Sequence, residues 1–481
     1  MKSAAAMFNE AIVYVGFILN KKRILTTVFL LFPLYCEAED VLTASFPDDL
    51  RGVQVSLCFD GSAPARLYRH KQAGTFSTGL FHDGKQLKVS GRGSTLNLPA
   101  LPDNACLNWQ SDFTAALKKR DYRLIMQTGD DLVMSTNLWF WKGPMQRDLV
   151  VDIRLPEGTS ISTPWKELKK TGTNIRFRPD KTSADWESKI ALGRFEVDNI
   201  TVTGANIRLA APGRLSTQQK TKIRLWIEKT VDPVTLVYGY FPQPHPQVLV
   251  IPIGNRNEAV VTASVLRGGG LAAIFYIDES RPLEEFMDAW NPTHEFSHML
   301  IPYVSSRDRW LSEGLASYYQ NVLRARDGRL GETQAWQKLY DGFQRGKNGT
   351  NGGSLAQATR GGRGSTMRVY WSGAALLLMA DMQLRDTTNG RQSLDTALQS
   401  LSACCIANGK TWRAREMFEL LDELTGTSIF TGLYKEYVYA HSFPDMRSTL
   451  EGLGIKTRHE QVSLTQSAPL ADVREAIMKR Y

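Results

Sequence analysis

Thr293 to Tyr319, THEFSHMLIPYVSSRDRWLSEGLASYY, decides how the second half of the chain is read. His294 and His298 are four residues apart, so on an α-helix their imidazoles lie about 40° apart around the axis and can reach one ion. Glu295 is rotated about 100° from His294, off the ligand face but near enough to act as a base toward water at the metal. This H-E-x-x-H spacing suits neutral imidazoles on Zn²⁺ with positions left open for water and a substrate oxygen. A third ligand is still needed. Glu313 supplies it if WLSEGLASYY opens a second helix facing the first. Ser312 is placed to cap that helix, Glu313 then falls in its first turn, and Leu315, Ala316 and Tyr319 recur at helical spacing. Fourteen residues separate His298 from Glu313, enough for a reversal through Pro302 and SSRDR. Of only seven histidines in the chain, two fall at ligand spacing.

H-E-x-x-H followed by W-x-x-E-G resembles the gluzincin metallopeptidases. The resemblance implies a thermolysin-like zincin catalytic domain with one Zn²⁺ per chain on His294, His298 and Glu313, and Glu295 as general base. RVYWSGAALLLMADMQLR, Arg368 to Arg385, is similar to the Y-x-x-G stretch of alanyl and glycyl aminopeptidases, and the whole constellation most resembles the glycyl aminopeptidase family. That implies that the Tyr370 hydroxyl, with Gly373 three residues on, stabilises an oxyanion. Upstream, Arg267 and Gly268, Gly269 and Gly270 precede the strand-like LAAIFYI, in the place of the gluzincin edge strand. There the glycines would bind the substrate backbone; a plain loop is the other reading. One feature departs from the aminopeptidases, which hold a free amine with an acidic residue just after those glycines. Here Leu271, Ala272 and Ala273 follow, which points to an endopeptidase or broad peptidase.

Length and composition agree with a folded enzyme. At 481 residues the chain can build two or three cores, and 42% hydrophobic with 22% charged residues is an ordinary globular balance. The net charge of +9 is spread without a dense Lys/Arg block, so no nucleic-acid partner is inferred. The partner expected is a peptide or protein substrate.

Residues 1–38 read as a signal peptide: Lys21, Lys22 and Arg23 precede the apolar run ILTTVFLLFPLY, Ile24 to Tyr35, with small Ala38 at the cut. Export to the periplasm or medium follows, with membrane association only if this segment stays uncleaved. LNKKRILTTVFLLFPLYCEA would be complete by itself if translation began at Leu19. In an oxidising compartment Cys58 is expected to pair with Cys106, both in the β-rich region. Cys404 and Cys405 are either free and buried or joined to each other.

Residues 39–212 form a β-rich domain of short runs such as VQVSLCF, LVVDIRL and NIRFRP, read as an antiparallel sandwich or barrel. Residues 213–445 form the catalytic domain. It comprises a helix at Thr217 to Val231, buried strands QVLVIPI and LAAIFYI, and a zinc helix that starts either near Pro282 or afresh at Pro292. A helical subdomain follows, with helices at Ala316–Arg326, Thr333–Phe343, Tyr370–Leu384, Ser393–Leu401 and Ala414–Leu424. The Gly-rich stretch Gly346 to Thr366 is either a rim loop over the site or a solvated connector, and residues 446–481 are a C-terminal tail. The fold class expected is α+β. Two other functions compete: a zinc-bearing envelope binding or assembly protein without turnover, and a zinc hydrolase of non-peptide substrates.

Overall fold

In Glu39–Ser45 and Gly52–Cys58 the apolar residues alternate, and every second side chain is buried. The computed structural model describes residues 39–480 apart from 71, 72, 92, 120, 184, 185, 362–364 and 406–408. The signal-peptide expectation therefore lies outside the described residues. The two strands sit in the middle of an eight-stranded sheet, ordered Lys166–Thr171, Asn174–Arg178, Asp148–Arg154, Glu39–Ser45, Gly52–Cys58, Cys106–Asp112, Phe81–His82, Lys85–Gln86. The expectation of an antiparallel domain needs one correction, because Asp148–Arg154 runs parallel to Glu39–Ser45. The chain leaves the sheet after Asp112, builds parts of two smaller sheets, and returns on the far side of its first strand, a crossover long enough for a parallel pair. Cys58 stands directly opposite Cys106 on neighbouring strands and is bonded to it. Cys404 is bonded to Cys405. Trp109 stacked on Trp141 at 4.8 Å, with buried Trp139 and Trp165, fills the domain's interior.

A second sheet joins this domain to the helices. Its strands are β1 (Val197–Val202), β2 (Ala205–Ala210), β3 (Gln247–Pro252), β4 (Val260–Leu266) and β5 (Ala272–Ile277), in the order β1-β2-β3-β5-β4. β2, β3 and β5 run parallel, and β4 lies antiparallel on the edge. This moves the boundary expected at residue 212: β1 and β2 belong to the second sheet because β2 pairs with β3. β3 and β5 read as unbroken apolar runs because both their faces are covered. Val248, Val250, Ala273, Phe275 and Ile277 face the helices, whereas Leu249, Ile251, Ile274 and Tyr276 pack on Val133, Ala191 and Phe195 of the N-terminal domain.

Helix α1 (Thr217–Val231) begins at the capping box Ser216/Gln219, as its local pattern predicts, and sets Trp226 against Phe275. The expected zinc helix does start afresh. A short helix, Leu283–Asp288, ends, and α2 (Asn291–Ser297) opens with Pro292 in its first turn, where the missing N–H costs nothing. Then come α3 (Arg309–Arg326), α4 (Glu332–Asn348) and α5 (Thr366–Thr387), followed by Leu394–Cys405, Ala414–Thr425 and Ile429–Tyr437. The Gly-rich stretch holds a short capped helix, Leu355–Ala358. The tail is folded: Arg474 is buried and binds Glu332 at 2.8 Å, and Arg326 donates to the Ile477 carbonyl. No described helix is long and apolar enough to cross a membrane.

The helices α3 and α5 cross at two glycines. A Cβ on Gly373 would lie 2.0 Å from the Trp310 carbonyl oxygen, and one on Gly314 would lie 2.4 Å from the Gly373 backbone. Deeper along the same pair, the Tyr318 hydroxyl donates to Asp381 at 2.7 Å and Arg385 to Asp381 at 2.9 Å. Gly373→Ala should therefore force α3 and α5 apart and lower stability by about 1–3 kcal/mol, the usual cost of overpacking. Urea unfolding of the variant beside the parent protein measures it.

Candidate metal centre

His294 and His298 project from α2 and the 3₁₀ turn that continues it, His298–Leu300, toward Glu313 on α3. One ligand atom from each of the three lies within 4.8 Å of the others. His294 Nε2 is 3.4 Å and His298 Nε2 3.6 Å from Glu313 Oε2. Bonds of about 2.0–2.1 Å to a tetrahedral zinc require donors roughly 3.3–3.4 Å apart, so the three residues present fit that ion.

The second ring nitrogen of each histidine is engaged. His294 Nδ1 lies 2.8 Å from Gln320 Oε1, and His298 Nδ1 lies 2.9 Å from Ser312 Oγ. With Nδ1–H donating to these oxygens, each Nε2 keeps its lone pair toward the centre. Here the sequence expectation for Ser312 is corrected. The helix starts at Arg309, so Ser312 is inside it rather than capping it, Glu313 is in the second turn, and the serine hydroxyl is spent on His298. Gln320 was missed, although it stands two helical turns after Glu313 on the same face, a spacing that signals a shared partner.

Burial sets the charge states. Desolvation, aided by His294 and Arg267, pushes His298 down to about 3, which leaves it neutral and ready to ligate. Burial opposes the charge on Glu313, but the His294 and His298 imidazoles set against its Oε2 outweigh it and hold the carboxyl at about 2. Burial lifts Glu295 to about 7, with Glu313 pushing the same way and His294 opposing. Glu295 thus shares the ligands' helix without being one of them.

The centre opens into a cleft of about 300 Å³ whose lining includes Glu295, His298, Glu313, Tyr370, Arg309 and residues 263–265 of β4. Tyr370, in the first turns of α5, stacks on the His294 ring at 5.7 Å and hydrogen-bonds Glu313. Its phenol is raised well above the ordinary range by burial first and by the Glu313 charge second. Five sequence-identified residues therefore meet: His294, Glu295, His298, Glu313 and Tyr370.

Gly268, Gly269 and Gly270 do not join them. They are buried against the N-terminal domain, where the Gly268 N–H donates to the Glu187 carbonyl and Trp165 Nε1 donates to the Gly268 carbonyl. A Cβ on Gly268 would lie 2.5 Å from the Glu187 backbone. Close approach is the reason for glycine here, as the sequence suggested, but the backbone approached is the protein's own. The strand that edges the cleft is β4, which precedes the glycines. Arg267 between them was also missed: its guanidinium donates to the carbonyls of His298 at 2.6 Å and Ile301 at 3.1 Å, and the Tyr238 hydroxyl donates to Leu300. A cation there satisfies the open carbonyl end of the helical segment that carries the two histidines.

Solved structures share this fold. An aminopeptidase N family protein from Idiomarina loihiensis superposes with a TM-score of 0.67 at 12% identity, covering 86% of this chain and 78% of that one. An M1 zinc metallopeptidase from Deinococcus radiodurans gives 0.54 at 12%, covering 85% and 94%, and a mutant of it is bound to a Tyr-Ser-Ala substrate. Yeast LTA4 hydrolase gives 0.55 at 13%, covering 85% and 68%. No protein-family profile and no curated protein sequence matches the chain.

Because Ser312 and Gln320 fix the two imidazoles, Ser312→Ala and Gln320→Ala should each weaken zinc binding by about 10- to 100-fold. His298→Ala should remove a full equivalent. Competition with a chromogenic chelator reads both effects.

Proposed function

We propose that the protein is a zinc-dependent peptidase that hydrolyses peptide bonds by water attack with a glutamate general base. The observation that carries this reading is Glu295, a buried carboxylate in the same cleft as His294, His298 and Glu313 that no hydrogen bond or ion pair engages among the described residues. A purely structural metal site has no use for such a base and closes its fourth position with a protein ligand. The shared fold with M1 zinc metallopeptidases supports the same reading.

When bound, the zinc ion supplies Lewis acidity that polarises a carbonyl and makes water easier to deprotonate. His294 and His298 hold it as neutral imidazoles and Glu313 as a carboxylate. Glu295 takes the proton from the attacking water and returns it to the leaving amine nitrogen. The Tyr370 hydroxyl donates a hydrogen bond to the oxygen on which negative charge develops. An extended substrate adds its backbone to the free edge of β4 along residues 263–265, as a further strand. No acidic side chain beyond Glu295 and Glu313 lines the cleft among the described residues, so the reading favours an endopeptidase or broad peptidase over a strict aminopeptidase. Export to the cell envelope, from the signal-like residues 1–38 and the disulfide-bonded fold, completes the proposal.

Glu295→Gln should keep zinc and fold while losing about 10²- to 10⁴-fold in turnover. Tyr370→Phe should lose about 10²- to 10³-fold, since the metal still shares the charge. Digestion of a peptide library with and without chelator, with metal content measured on each variant, checks both; near-normal zinc-dependent cleavage by Glu295→Gln sinks the base assignment. N-acetylated peptides should be cut about as well as their free-amine forms. A strict need for the free amine would put an unrecognised anion in the cleft.

A further inference from the structure

Arg309 is the first residue of α3 and lines the cleft beside Ser306, Ser312 and Tyr370. Its position is electrostatically awkward. The first turn of a helix already carries partial positive charge and is where anions, not cations, are stabilised. Its neighbour Asp308 does not relieve it, being taken up by the Arg413 guanidinium and the Ala414 N–H. Arg309 Nε is shielded from solvent without an acceptor, and among the described residues no hydrogen bond or ion pair engages the guanidinium. The other arginine of the cleft, Arg267, differs in this respect, for its donors end on the carbonyls of His298 and Ile301. The two carboxylates of the cleft are also occupied, Glu313 with the imidazoles and Glu295 as the proposed base.

We infer that Arg309 is a specificity-determining residue that binds a carboxylate of the substrate, held by the guanidinium fork together with the N-terminal end of α3. The inference rests on the peptidase reading for its substrate but on Arg309 alone for its chemistry. A planar carboxylate matches the fork in a two-point, charge-assisted contact, and the Arg309 Nε that would take part is already shielded from water. The carboxylate comes either from the C-terminus of a short peptide or from an acidic side chain of a longer one. An ammonium group finds no counterion in the same place, so the cleft reads charge with the sign opposite to that needed for a free amine.

The test measures equilibrium binding of short fluorescent peptides to zinc-loaded Glu295→Gln protein, so that no turnover is required. One pair is a tripeptide of alanine and phenylalanine as free acid and as C-terminal amide. The other is a longer amide with glutamate or glutamine as its last residue. With Arg309 present, at least one carboxylate form should bind roughly 10- to 100-fold more tightly than its neutral partner, and the pair that shows it names the source. Adding Arg309→Met should remove that preference while leaving the neutral peptides' affinity unchanged, which also shows that the variant is folded. Adding Arg309→Lys instead should restore part of it. Equal affinity within both pairs, no measurable binding of any of the four peptides, or a preference that survives Arg309→Met overturns the subsite. Failure of the parent protein to hydrolyse peptides would overturn the peptidase reading, and the binding comparison would still decide this one.

Discussion

Two imidazoles and a carboxylate, groups that each compete for protons, are held with their ligand atoms within 4.8 Å in a space largely closed to water. The rest of the structure follows from that constraint. Burial alone would discharge all three, yet a metal needs the histidines neutral and the glutamate ionised. The protein separates the two demands by geometry. His298 is left to desolvation, which holds it neutral, while Glu313 is kept charged by the imidazoles set against it. The remaining ring nitrogens are given oxygen partners on α3 itself, Ser312 and Gln320, so one helix both supplies a ligand and orients the other two.

Holding α3 in that position requires close backbone approach on its other side. Gly314 follows Glu313 directly, and Gly373 lies three residues after Tyr370, so the glycine contact between α3 and α5 also sets the distance from the tyrosine to the ligand. The buried pairing of Tyr318 and Arg385 with Asp381 continues the same seam away from the site. One crossing therefore places both a ligand and the group proposed to meet the developing charge.

The N-terminal β domain reaches the centre as well, although none of its described residues lines the cleft. Its Trp165, together with the backbone at Glu187, grips the Gly268–Gly270 segment, which leads from β4 to β5. Arg267, at the near end of that segment, closes the carbonyl end of the helical turn that carries His294 and His298. The domain thus acts through a chain of contacts: its tryptophan on a glycine loop, the loop on an arginine, and the arginine on the helix that carries both histidines. The same cation adds to the positive field of the cleft, where Arg309 has no hydrogen-bond or ion-pair partner among the described residues.

What the sequence determined by itself was local. The i, i+4 histidines and the glutamate after them share one helix by the period of the backbone. The helix Thr217–Val231 was legible in its apolar periodicity, and buried strands such as Gln247–Pro252 in unbroken apolar runs. Cys58 and Cys106 could be matched by region, and the tyrosine by the order of its motif. Tertiary structure alone decided which segments became neighbours. It put Ser312 on His298 instead of at a helix end, recruited Gln320, gave β1 and β2 to the second sheet, and ran one strand parallel where alternation cannot distinguish direction. It also took the three glycines from the cleft to the domain seam and gave their place to β4. A glycine records that some backbone must come close, and a serine that some polar group needs a partner; neither records which one, because the partner is set by packing between residues distant along the chain.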